Sequence, residues 1–195
     1  RYVDANGDGI IDDNDRMPLF WSGTPLIHYG FNLEASWKNF DIYALLQGAG
    51  MYTVQFSEVY AEVLWSKGAN TPAYFYDRWR KEDPYNPNSK WVAGKWPATR
   101  LIQDTGAMYK ESNIWRRDAS YLRLKTLELG YTLPDSILRK SGISNIRFYI
   151  NGYNLLTFCD SFVKAFDPEK VEGSYSAGMN YPLTKSFNIG FTANF

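Results

Sequence analysis

The sequence predicts an all-β chain whose antiparallel strands belong to a transmembrane β-barrel, and three observations carry that prediction. Five segments alternate apolar and polar residues with the period of two that a strand with unlike faces produces. Several of them reach the roughly 9 to 11 residues that a tilted membrane strand needs, against about 5 to 6 for an average strand of a soluble sheet. The segments between them sort by end, short at one and long at the other, as the periplasmic turns and extracellular loops of outer-membrane barrels do.

The elements follow in order. Tyr29, Phe31, Leu33, Ala35 and Trp37 alternate with Gly30, Asn32, Glu34, Ser36 and Lys38, and a Lys38-Asn39 turn leads into Phe40, Ile42, Ala44 and Leu46. Residues 29–50 are therefore expected to form a hairpin that stops at Gly48-Ala49-Gly50. Residues 51–117 lose this periodicity in a stretch rich in Trp, Tyr, Pro and Asn, and a length above sixty marks it as a functional loop. Short helical stretches are expected within it at Ser57–Ser66 and Tyr74–Lys81.

Residues 118–195 are expected to supply three more strands. The first runs from Ala119 to Leu133, where Leu122 and Leu124 share one phase while Leu127, Leu129 and Tyr131 share the other. Such a slip predicts a β-bulge near Lys125-Thr126. Pro134 ends that strand, Asp135–Asn145 holds a helical turn, and Ile146, Phe148, Ile150 and Gly152 then alternate with Arg147, Tyr149, Asn151 and Tyr153. The last strand places Tyr181, Leu183, Phe187, Ile189, Phe191, Ala193 and Phe195 on one face.

Composition narrows the function classes. The 195 residues carry 21 Lys+Arg against 21 Asp+Glu, so the chain lacks the basic excess that binding a phosphate backbone needs, and nucleic acid is not an expected partner. A single cysteine, Cys159, cannot close an intrachain disulfide, and a single histidine, His28, argues against a zinc cluster or a serine-histidine relay. No run approaches the roughly 18 to 20 apolar residues of a membrane helix, and the mean hydropathy is −0.41. That average is compatible with a membrane barrel, whose strands alternate lipid-facing and lumen-facing residues. The 34 aromatic residues, 12 Phe, 7 Trp and 15 Tyr, fit a barrel with aromatic girdles.

A soluble β-sandwich also has alternating strands and stays open as an alternative. The polar face here is Asn, Ser, Thr, Gly and Tyr, where a sandwich exposed to water would carry more Lys and Glu. The chain starts at Arg1 with no signal-peptide pattern and is expected to be a processed or truncated piece.

The run Asp118-Ala-Ser-Tyr-Leu-Arg-Leu-Lys-Thr-Leu-Glu-Leu-Gly-Tyr-Thr-Leu-Pro134, then Gly152-Tyr-Asn-Leu-Leu-Thr-Phe158, Asp167-Pro-Glu169 and Tyr181-Pro182, resembles the C-terminal part of the SusC/RagA-like TonB-dependent outer-membrane transporters. Tyr2-Val-Asp-Ala-Asn-Gly-Asp-Gly9, Tyr29-Gly-Phe-Asn32, Trp37-Lys-Asn-Phe-Asp41 and the closing Phe187–Phe195 run are similar to that family in the same order. The resemblance implies the C-terminal antiparallel strands of a 22-stranded barrel with long extracellular loops, plugged by an N-terminal domain and covered by a SusD-like lipoprotein. It implies import of oligosaccharides, or of peptides, across the bacterial outer membrane, powered by the TonB complex through a plug that this sequence lacks. Five strands leave unpaired edges, so the remainder of the same barrel and its plug are expected partners. The final alternation ending at Phe195 also resembles the signal read by the barrel assembly machinery.

Three sets of residues are candidates for binding. Asp4, Asn6, Asp8, Ile10, Asp12 and Asp15 follow the calcium-loop spacing D-x-[DN]-x-[DN]-G-x5-E, with Asp15 in place of Glu and Gly9 at the sharp turn. They predict a Ca2+ site, with Mg2+ as the alternative, in an extracellular loop formed by residues 1–28. An Asx-rich turn without metal would use the same residue types. In the long loop, Trp65, Tyr74, Tyr76, Trp79, Trp91 and Trp96 offer faces for sugar rings or for the lid, or else form the loop's own core. Tyr29, Trp37, Tyr131, Tyr181 and Phe195 lie near expected strand ends and are assigned to the membrane interface. Asn32, Glu34, Arg147, Asn151, Asn188 and Asn194 are expected on a wetted interior.

No catalytic constellation is found, and an enzyme is not expected. Asp167 and Glu169 flank Pro168 in what reads as a structural turn. The rival functions are an importer of iron chelates on the same barrel and a soluble carbohydrate-binding sandwich with a calcium loop.

Overall fold

The structure is a computed structural model that describes residues 2–18, 20–56, 71–99, 112–139, 142–170 and 180–195. The described strands are β1 (Ile27–Trp37), β2 (Phe40–Gly50), β3 (Thr53–Gln55), β4 (Arg80–Lys81), β5 (Trp91–Val92), β6 (Arg116–Asp118), β7 (Tyr121–Thr132), β8 (Asn145–Phe158) and β9 (Ser186–Asn194). Five of them form one antiparallel sheet in the order β1-β2-β7-β8-β9. Consecutive long strands are neighbours, so the sheet is a meander. Its short connections, Lys38-Asn39 and the segment holding helix α1 (Asp135–Leu138), lie at one end.

Register explains the alternation read from the sequence. One face stacks complete rows across the sheet. Trp37, Phe40, Tyr131, Phe148 and Phe191 are register partners at the short-turn end, and Ala35, Ile42, Leu129, Ile150 and Ile189 form the next row. Leu33, Ala44, Leu127, Gly152 and Phe187 follow, and then Phe31, Leu46, Leu124 and Leu156. Tyr29, Gly48, Leu122 and Phe158 close the band. Trp37 and Tyr29 are eight residues apart, about 27 Å along a strand, which at a barrel tilt of about 35–45° is roughly 20 Å of height, most of the roughly 25 Å apolar band of a membrane barrel. The face is bare: Ile189, at the middle of β9, is 86% exposed. An apolar surface of this extent marks a face covered by lipid or by protein, and its continuous rows match the outward band of a membrane barrel.

The phase slip in β7 is a bulge. Leu45 pairs with Thr126 and Leu46 with Leu124, which leaves Lys125 as the extra residue. Leu122 and Leu124 thereby join Leu127, Leu129 and Tyr131 on the apolar face, as the sequence predicts. On the β8 side the same level holds Asn154, whose φ of 55° lies in the left-handed region.

The last strand is shorter than its sequence pattern. β9 starts at Ser186, not Tyr181. Pro182 has no N–H to give, and the Leu183 amide donates to Asp167 Oδ2 at 2.8 Å, so neither can extend the ladder. The Tyr74–Lys81 helix is also corrected. Ala73–Asp77 is a 3-10 turn after Pro72, and the chain is extended by Arg78, which bridges to Trp96. The Ser57–Ser66 helix lies outside the described residues. His28, expected in a loop, is the second residue of β1 opposite Ala49.

The hydrophobic core is not in the sheet. It is an aromatic cluster at the long-loop end, built from Tyr52, Val54, Phe56, Phe75, Trp96, Trp115, Ala119 and Val163 with Ala49 from β2 and Tyr121 from β7. The pairing of β3 with β6 ties the two stems of the long loop together beneath it. Trp96 stacks on Trp115 at 5.5 Å, and Phe56 meets Phe162 edge-on at 5.0 Å.

Candidate functional site

The second face of the sheet carries the polar chemistry. Asp41, Gly130, Tyr149 and Gly190 form one row, and Tyr43, Glu128, Asn151 and Asn188 the next. Arg147 donates from Nε to Asp41 Oδ1 at 3.0 Å and from a terminal nitrogen to Glu128 Oε1 at 2.8 Å, with a further ion pair to Asp41. Asn151 donates to Glu128 Oε2 and Asn188 donates to Asn151, so one network crosses β2, β7, β8 and β9. Gly130 makes room for it, because a Cβ there would collide with both the Arg147 guanidinium and the Asp41 carboxylate. Arg147, Asn151 and Asn188 thus lie on the polar face that their phase predicts.

At the long-loop end the same face holds a buried ion cluster. Arg123 is 2% exposed and Asp167 4%. The guanidinium donates to Asp167 Oδ1 at 2.7 Å, to Thr157 Oγ1 at 2.9 Å and to Glu169, while Lys125 donates to both Glu169 oxygens at 2.8 Å. Asp167 sits at φ 68° and accepts from the Glu169 amide as well as from Leu183. Tyr52 donates its hydroxyl to Pro168 O at 3.0 Å, and burial pushes its phenol well above the ordinary tyrosine range. The Asp167-Pro168-Glu169 turn is therefore the clamp that fastens the loop after β8 to the wall. The sequence carried a signal for it: an Arg and a Lys flanking the bulge and two carboxylates flanking a proline, all out of phase with the apolar face.

Residues 4–15 form a self-contained loop. Asp4 accepts from the Gly7 and Gly9 amides at 2.6 and 2.8 Å, Asp8 from Ile10 at 2.8 Å, and Asp12 from Asn14 at 2.8 Å. Asp15 closes it by accepting from Ala5 at 2.7 Å and from Asp12 at 2.8 Å. These amides, Asp12 first and Ala5 next, hold the Asp15 carboxyl below the usual carboxylate range. Among the described residues no group of three or more His, Cys, Asp or Glu side chains is gathered closely enough to hold a metal ion. The arrangement is an amide-held Asx turn.

Comparison with known proteins decides what wall this is. No family model matches the chain. Two TonB-dependent receptors of Formosa agariphila, P3 and P26, are 31% and 30% identical to it over its full length. Solved structures of the RagAB peptide importer in its open-open state and of the RagAB peptide transporter superpose with TM-scores of 0.63 and 0.65. They are 26% and 25% identical and cover 90% and 93% of this chain. The chain is a segment of a SusC/RagA-like TonB-dependent receptor. It spans 19% of the length of each Formosa receptor, and 18% and 19% of the matched RagAB chains.

The aromatics assigned from the sequence to the membrane interface occupy different positions on the sheet. Trp37 and Tyr131 belong to the aromatic row at the short-turn end, together with Phe40, Phe148 and Phe191, which were not singled out from the sequence. Tyr29 lies inside β1, in the row toward the long loops. Its ring covers Gly48, where any Cβ would collide with it, and its hydroxyl donates to Tyr121 O at 2.8 Å. Phe195 is highly exposed, one residue past β9. Tyr181 is corrected: it is exposed and five residues before β9, so it is not part of a barrel strand.

The loop aromatics divide. Trp96 is corrected to the loop core, where it is buried between Tyr74, Phe75, Trp115 and Phe162 with no face left for a ligand. Tyr74 packs there too. Tyr76, Trp79 and Trp91 are exposed, and Lys81 lies 4.7 Å from the centre of the Trp91 ring. Trp65 lies outside the described residues. Cys159 borders the core, and burial raises its thiol pKa, which suits an inert thiol.

Proposed function

We propose that the whole receptor imports oligosaccharides across the outer membrane, with peptides as the second substrate class. It would be energised by the TonB complex through its plug and covered by a SusD-like lipoprotein. The observation that carries this reading is the two-faced wall: five strands bearing continuous apolar rows outside and a charged, amide-rich network inside. That arrangement suits a barrel set in lipid around a polar passage. The exposed Tyr76, Trp79 and Trp91, mounted on an aromatic core, supply flat surfaces of the kind that sugar rings or a protein lid pack against. Peptide cargo is supported by the similarity to RagAB, a peptide importer. The iron-chelate reading predicts chelate-binding groups on the inner face instead of ring-stacking aromatics.

The test is extraction of the native protein from outer membranes in mild detergent, followed by identification of what travels with it and of what the deletion strain no longer takes up. Co-purification with plug sequence and a lid lipoprotein, with lost uptake of oligosaccharides or peptides, supports the proposal. A detergent-independent monomer of about this chain's mass would replace it with the soluble sandwich.

A cation in the residue 4–15 loop is part of the same proposal, supported by the spacing. Each carboxylate oxygen that accepts one amide keeps a second lone pair, and Ca2+ or Mg2+ would draw on those of Asp4, Asp8, Asp12 and Asp15 to stiffen the loop. Titration calorimetry of the purified receptor with calcium chloride checks it: saturable heat lost in an Asp4→Ala variant supports the ion, and no heat leaves the loop as the amide-held turn.

A further inference from the structure

We infer that the outer face holds one anionic phospholipid at the short-turn end, with an acyl chain in a groove between the two lowest rows and its phosphate at Lys38. The inference rests on the membrane reading of the barrel and adds a ligand to it.

The groove has a volume of about 470 Å³ and runs across the sheet between the aromatic row and the first aliphatic row, lined by Trp37, Ile42, Leu129, Phe148 and Ile150. It falls in the usual ligand-site range of about 300–1,000 Å³. Ala35 keeps it open at the β1 side, where the other strands place Ile or Leu at the same level.

Its position selects the occupant. The aromatic row marks the height at which amphipathic rings meet headgroups, and the aliphatic row lies within the hydrocarbon. A groove that spans both levels matches a molecule that is polar at one end and an alkyl chain at the other.

The charge at its rim selects the headgroup. Lys38 follows Trp37 in the turn, with its ammonium 4.6 Å from the centre of the Trp37 ring. Among the described residues it has no carboxylate partner. A long basic side chain beside an interfacial ring reaches toward the headgroup layer, where a phosphate neutralises it.

The experiment uses the full-length receptor, purified from outer membranes, stripped of lipid by detergent exchange and titrated with phosphatidylglycerol or phosphatidylcholine under native mass spectrometry. Lys38→Asn removes the charge while suiting the left-handed backbone at this position, where φ is 56°. Ala35→Trp fills the groove. The wild type is expected to retain one phosphatidylglycerol in preference to phosphatidylcholine. Lys38→Asn is expected to weaken that by about fivefold, and Ala35→Trp to abolish it, while both variants keep the heat-modifiable gel mobility of a folded barrel. Equal retention of phosphatidylglycerol in wild type and Lys38→Asn, or equal retention of the two lipids by the wild type, overturns the lipid site. Recovery of the receptor in the soluble fraction would overturn the membrane reading beneath it.

Discussion

Arg123 is the residue on which the long-loop end depends most. It is fully buried, donates to two carboxylates and a threonine, and joins β7 to both stems of the segment between Lys170 and Asn180. Removing one partner of a buried pair leaves the other charge unpaired, which costs about 3–5 kcal/mol. Arg123→Met in the full-length receptor is therefore expected to expose the residue 159–185 region to protease while the barrel stays intact. Arg123→Met combined with Asp167→Leu should restore part of the protection. Cleavage patterns on intact outer membranes read both outcomes.

Asp15 supports a pH prediction. Its folded pKa lies below the unfolded value of about 3.9, so the stabilisation it gives is fully present above that value and is lost as pH falls through the folded one. Amide exchange at Ala5 and Asp12, corrected for the intrinsic rate, should lose its protection only below about pH 4, and Asp15→Asn should show the loss already at neutral pH.

At the scale of the element, the bulge at Lys125 keeps β7 two-faced. Without the extra residue Leu122 and Leu124 would turn inward and Arg123 would face the lipid interface, where its charge costs only about 0–1 kcal/mol, but it would leave the buried Asp167 without its partner, at a cost of about 3–5 kcal/mol. Deleting Lys125 is expected to abolish insertion. Replacing Lys125 with Ala, which keeps the count, should permit it, and heat-modifiable mobility on gels separates the two. The bulge was legible because leucines mark both phases and the slip between them has one economical cause. The start of β9 was not, because Tyr181 and Leu183 continue the alternation while their backbone is committed elsewhere. Pairing depends on partners that lie 16 or more residues away, and alternation records only which face a side chain would take.

At the scale of the whole molecule, the sheet is a wall with two open edges, β1 and β9. Each presents a row of backbone groups that lipid cannot satisfy. The 195-residue segment expressed alone is thus expected to self-associate or aggregate without detergent, as sedimentation would show, and a monodisperse soluble monomer would contradict the barrel. The packed core sits at the long-loop end and not inside the wall. Phe56, Phe75, Trp96 and Trp115 give the loops their own aromatic foundation. The polar network around Arg147 lies on the sheet face opposite the apolar rows.

The alternation of the sequence by itself determined that the strands have one apolar and one polar face, because a strand's period of two writes the direction of each side chain into residue order. It also determined the hairpin, the bulge and the polarity of the two ends. Only the tertiary structure decided which aromatics share a row, that Phe148 and Phe191 complete the one begun by Trp37, that Trp96 belongs to the loop core, and that Asp167 clamps Arg123. Those are contacts between residues 19 to 66 positions apart, as from Trp96 to Trp115 and to Phe162, or between strands whose register must first be fixed. A single strand's pattern fixes the direction of each side chain, and the height at which strands meet is set only when the whole ladder forms.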